Sequence, residues 1–139
     1  MNSINYPERL IRGLSSKDDI DANGFVTTGA FMFGDISRVD GNLELSINWY
    51  DDEKSLEYIF EQKKDDESQK FKFGAAILKR QHIDGLICEH DDNYLSYERA
   101  PIENNKYHGN LLLKNTATKQ YKKVISGFLA AHASKYDNK

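Results

Sequence analysis

Most of the side chains able to do chemistry lie in two histidine-bearing segments. The first is Cys88-Glu89-His90-Asp91-Asp92. On a strand, residues 88 and 90 share a face, so an imidazolium would lower the thiol pKa and supply the attacking thiolate. A single cysteine in an apolar run is more commonly a small buried hydrophobe, and Asp91-Asp92-Asn93 is ordinary turn chemistry. The second segment, Glu103-Asn104-Asn105-Lys106-Tyr107-His108-Gly109-Asn110, follows Pro101. Loops on a rigid scaffold often carry binding groups. His108 is the residue there best suited to acid–base work near neutral pH, with Glu103 to orient it and Tyr107 beside it. The alternative is a surface loop whose asparagines satisfy their own backbone.

Arg12, next to Gly13, offers a planar donor fork that can hold a phosphate or carboxylate while the glycine lets a ligand approach. With 22 acidic residues in the chain, a structural ion pair is its other use. Ser46 and Asn48, on the outward positions of an alternating strand, can add a hydroxyl and an amide to the same surface. A metal would have to draw on His82, His90, His108, Cys88 and Asp91. No CxxC, HxxxH or HExxH spacing occurs, so neither a metal nor another cofactor is expected.

Elements that would position these groups follow from period and turn chemistry. The apolar run from Arg9 to Leu14 reads as a strand ending at Gly13, and Ser16 can cap one helical turn. Phe25 to Phe33, apolar on both faces, reads as a central strand. Leu43, Leu45, Ile47 and Trp49 alternate with Glu44, Ser46 and Asn48 in a second strand. From Glu53 to Lys63, capped by Asp51 or Asp52, Leu56, Ile59 and Phe60 share a helical face. Further strands are expected at Phe71 to Leu78, Leu86 to His90, Tyr94 to Arg99 and Tyr107 to Lys114. Tyr121, Val124, Ile125, Phe128, Leu129 and His132 then form the stripe of a C-terminal helix, in which Gly127 marks a close approach to the sheet. The expected fold is one α+β domain over residues 1–139: an antiparallel-rich mixed sheet of about five to seven strands packed with two helices.

Composition narrows the setting. The chain has 139 residues, 39% apolar and 29% charged, enough for one core filled largely by eight Tyr, seven Phe and one Trp. Its net charge of −3 argues against nucleic acid as a partner, and the lysines near Tyr121 read as a solvated face. One cysteine excludes an intramolecular disulfide, the start lacks a signal-peptide pattern, and no apolar run approaches the roughly 18 residues of a membrane span. A cytoplasmic location is expected. A sheet rich in Tyr and Phe that exposed an edge would be hidden in a homodimer.

In chain order, Arg12, Thr27-Thr28-Gly29-Ala30-Phe31 and Glu103 resemble the arginine, serine/threonine and glutamate of ADP-ribosyltransferases. The resemblance implies a nicotinamide-bearing dinucleotide held near Arg12 and a catalytic Glu103. It extends to the order of residue types alone, for the chain has no Glu-x-Glu pair and no Ser-Thr-Ser strand. Two functions are therefore expected from the residues themselves. One is a small binding module that engages a protein partner or small anionic ligand through the 103–110 loop and neighbouring strand ends. The other is a small enzyme acting on a nucleotide-like or other anionic substrate, with Arg12 holding the anion, His108 as acid or base, and Glu103 orienting it.

Overall fold

The computed structural model describes residues 6–89 and 94–137. Among them six strands form one antiparallel sheet: β1 (Arg9–Gly13), β2 (Asn42–Trp49), β3 (Ala75–Lys79), β4 (Leu95–Arg99), β5 (His108–Lys114) and β6 (Ser134–Tyr136), ordered β4-β5-β2-β1-β3-β6. Helices α1 (Glu53–Glu61), α2 (Arg80–Glu89) and α3 (Lys119–His132) complete an α+β fold with the last helix near the C-terminus. None is long and apolar enough to cross a membrane.

Strand alternation sorts the side chains onto two unequal faces. Leu10, Leu45, Ile47, Trp49, Leu78, Leu111 and Leu113 point to one side, where Ile83 and Leu86 of α2, Ile125 and Leu129 of α3, and Phe31 pack on them. On the other side Ile11 and Ala75 meet Leu56 and Ile59 of α1, flanked by Tyr50, Phe60 and Phe71. There α1 covers the β1–β3 half, while β2 and β5 present Ser46, Asn48, His108 and Asn110. Those residues are polar, and the cleft described below opens among them.

The Asp52 carboxylate caps α1, accepting from Lys54 N at 2.9 Å and Ser55 N at 3.3 Å, while Ser55 Oγ accepts from Asp52 N at 3.2 Å. Trp49 is fully buried, and its indole donates from Nε1 to the Glu98 carbonyl at 3.1 Å across β5. That path is open only because residue 109 is glycine: a Cβ there would lie 2.3 Å from Trp49 Nε1 and 2.6 Å from the same carbonyl.

Several expectations are corrected. Phe25 to Phe33 is not a central strand. It holds a single bridge, Val26 to Ile20, and a 3-10 turn over Thr28–Phe31, with Phe31 under α3 and its carbonyl accepting from Ser126 Oγ at 2.8 Å. Its two apolar faces mean something different: Phe25 and Met32 are 68% and 55% exposed, and Ala30 and Phe31 are buried. The strand expected from Leu86 to His90 is replaced over Leu86 to Glu89 by helix, because Ile83, Leu86 and Ile87 have helical spacing and belong to α2, a third helix in place of the expected two. The strand expected from Phe71 begins only at Ala75. In α3, Val124 is exposed rather than on the buried stripe, and no atom lies within 4 Å of a Cβ built on Gly127, so that glycine marks no close approach.

Candidate functional site

The site is made by a parting of strands. β2 pairs with β5 along its length, from Asn42↔Lys114 to Asn48↔His108. With β1 it pairs only at Leu10↔Trp49 and Ile11↔Asn48. Beyond Ile11 the two diverge, and Arg12 bridges the gap by donating from Nη1 to the Ser46 carbonyl at 2.8 Å and from Nε to the Ala30 carbonyl at 3.0 Å. Over this seam lies a cleft of about 360 Å³. Tyr58, Ile59 and Gln62 of α1 line one wall, Lys70 and Phe71 a second, and Ile102, Asn104 and Asn105 a third. The last group is a tight turn closed by Ile102 N to Asn105 O at 3.1 Å and the reciprocal bond at 2.9 Å. It is tied to α1, for Tyr58 Oη donates to the Asn104 carbonyl.

Backbone groups fix the orientation of the polar side chains inside. The Tyr107 N–H can only donate, and it bonds Asn105 Oδ1 at 3.0 Å, so Asn105 turns Nδ2 toward Asn48 Oδ1 at 2.9 Å. Asn48 thus has its oxygen engaged and its Nδ2 without a partner among the described residues, although the residue is only 5% exposed. His108, directly opposite Asn48 in the ladder, is settled the same way. The Ala100 carbonyl can only accept, and it lies 2.8 Å from Nδ1, so Nδ1 carries a proton and in the neutral ring the lone pair falls on Nε2.

The charge of the cleft runs against that of the chain. Acidic residues outnumber basic ones 22 to 19, yet the lining includes Arg12 and Lys70 and no Asp or Glu. Burial lowers the Arg12 pKa from its ordinary value, with the field of Asp19 acting in the opposite direction. Among the described residues no carboxylate comes within ion-pair distance of Arg12. Two of its five N–H groups go to the carbonyls; among the described residues Nη2 has no hydrogen-bond partner.

Of the residues singled out in the sequence, Arg12, Ser46, Asn48 and His108 all line this cleft. Tyr107 does not: it is buried, its carbonyl accepts from Trp49 N at 2.8 Å, and its ring packs edge-on against Tyr58. Glu103 is exposed and outside the lining, so no structural contact makes it the orienting group of His108. Gly13 does not admit a ligand, because the Phe71 ring fills the space a Cβ would take, 2.3 Å from its Cδ1. Cys88 lies within α2 rather than on the expected strand, and the Cys88–His90 pair falls on a residue outside the described ones. His90, Asp91, Asp92 and Asn93 lie outside the described residues. Among the described residues, no group of three His, Cys, Asp or Glu converges as a metal site would require.

Asn105, Tyr58, Gln62 and Lys70 entered the site unforeseen. Asn105 lay in the loop that was singled out, and its spacing to His108 was the available signal. Tyr58 and Gln62 carry no local signal of a site, because their part in the cleft is a tertiary fact. Comparison with protein-family models, curated proteins and solved structures gave no match.

Proposed function

We propose that the protein is a cytoplasmic binding module for a small anionic ligand held in the cleft at the β1–β2 seam. The observation that carries this reading is the pairing of Arg12 and Lys70 with a lining free of carboxylates in an acidic chain. A half-buried guanidinium with no carboxylate in ion-pair distance among the described residues favours an anion that supplies one. Apolar walls from Ile11, Ile59 and Phe71 give the ligand body its burial, as small-molecule sites usually do. The test is the thermal midpoint of the protein against mononucleotides, dinucleotides, sugar phosphates and dicarboxylates, with each hit repeated on Lys70→Gln and His108→Ala. A ligand at a hundredfold excess over its dissociation constant adds about 2.7 kcal/mol. A panel with no response, or shifts indifferent to both substitutions, would sink the proposal.

A second reading rests on the His108 tautomer. An Nε2 lone pair on the wall of an anion-accepting cleft is placed as a general base, so the bound molecule would be a substrate. His108→Gln that binds as the parent does while turnover disappears supports catalysis. A ligand recovered chemically unchanged after long incubation leaves binding alone.

A further inference from the structure

We infer that the ligand of this cleft is a nucleoside phosphate, whose base is read by the side-by-side donor and acceptor of Asn48 Nδ2 and His108 Nε2. The inference rests on the anion-binding reading above and adds the part of the ligand that reading leaves undefined.

Asn48 and His108 are directly opposed across β2 and β5, so their Cβ atoms stand about 5 Å apart on one face. Each has its other polar atom tied to a group that cannot reverse its role: Asn48 Oδ1 through Asn105 to the Tyr107 N–H, and His108 Nδ1 to the Ala100 carbonyl. Neither side chain can flip to invert the pattern, which with a neutral imidazole is one N–H donor next to one lone pair. An orphaned donor on a residue this buried weakens the unliganded protein, and a ligand acceptor would relieve that.

This pattern discriminates among chemical groups. A carboxylate or phosphate has acceptors only and would place one against the His108 lone pair. An ammonium or guanidinium has donors only and would place one against Asn48 Nδ2. A planar edge with an acceptor beside a donor satisfies both, and every nucleobase has such an edge. Tyr58 and Phe71 give apolar surface for the base faces. The anionic group then falls to Arg12, whose Nη1 is bonded at Ser46, two residues or roughly 7 Å along β2 from Asn48. That separation is within reach of one mononucleotide.

The experiment is titration calorimetry on the full chain with the four common nucleoside 5′-monophosphates, ribose 5-phosphate, and the tightest nucleotide N-methylated on its base-pairing edge. At least one nucleotide should bind tenfold or more tighter than ribose 5-phosphate. Methylation should cost tenfold or more in the parent and little in Asn48→Leu. If ribose 5-phosphate matches every nucleotide, or methylation costs nothing in the parent, the base-reading pair is wrong while the anion site stands. If no phosphate compound binds at all, the anion site itself fails and this inference fails with it. Because the methyl group is carried by the ligand, a variant that does not fold leaves the comparison intact.

Discussion

Replacing Gly109 by alanine tests the packing behind the site. The added methyl would stand 2.3 Å from Trp49 Nε1 and 2.6 Å from the Glu98 carbonyl, the two partners of one hydrogen bond. Both atoms are hemmed in, since Trp49 is wholly buried between the Tyr6 and Tyr97 rings and Glu98 is held in the β4–β5 ladder. Losing a typical internal hydrogen bond costs about 0.5–1.5 kcal/mol. Overpacking adds about 1–3 kcal/mol, so the variant should be less stable by about 2–4 kcal/mol. At about 4 °C per kcal/mol for a chain of this size, the midpoint should fall by about 8–16 °C. Trp49 is the one tryptophan in the sequence, so urea unfolding followed by its emission reports from the point of damage. The expected result is a lower urea midpoint with an unchanged slope and a shifted native emission maximum. A variant with the parent's midpoint and spectrum would show that the indole does not thread past residue 109, and the placement of Asn48 beside it would fall too.

Three further outcomes follow from the same geometry. Gly127→Ala should stabilise the protein by about 1 kcal/mol, because the helix gains propensity and nothing lies within 4 Å of the new methyl; a lower melting midpoint would reveal a contact the structure lacks. Asp52→Ala removes the acceptor for two amides at the start of α1 and should cost about 1 kcal/mol in urea unfolding, while Asp52→Asn should cost less. The third concerns alkaline pH. Burial, and then the hydrogen bond to Asp84 at 2.6 Å, raise the Tyr97 pKa above the ordinary tyrosine value. The folded protein therefore keeps this proton after the unfolded chain has lost it. Its contribution is complete below about pH 10 and is lost as pH climbs through the raised value. Tyr97→Phe should flatten the decline in melting midpoint at high pH without abolishing it, as Tyr50 is raised in the same direction; an unchanged slope would refute this.

How much of this was legible in the sequence varied with the signal. Strict alternation from Leu43 to Trp49, the Asp52 cap and the apolar stripe of α3 each combine a period with a boundary, and all three elements stand where those features put them. The failures came where one signal stood alone. β-Branched and aromatic residues from Phe25 to Phe33 suggested a strand, yet Thr28–Phe31 coils as a 3-10 turn because burying Phe31 against α3 outweighs local preference. Asp84-Gly85 is a pair common in turns, yet both residues lie inside α2. In the site, side chains on paired strands were readable from register logic: Ser46 and Asn48 had to face away from the core. The cleft itself was not readable, since it depends on where β1 leaves β2 and on how Tyr58 and Asn104 meet.

That departure bears on how the sheet holds together. Seven residue pairs join β2 to β5 and five join β1 to β3, whereas two join β1 to β2. Backbone hydrogen bonding thus divides the molecule into two leaves, β4-β5-β2 and β1-β3-β6, with the narrowest join at the middle of the sheet rather than at an edge. Amide exchange should follow that division: protons inside each leaf wait for global unfolding, and those along the seam escape through a smaller opening. Strain in the sheet would gather on the Arg12 fork, and widening the seam there would disturb no other ladder.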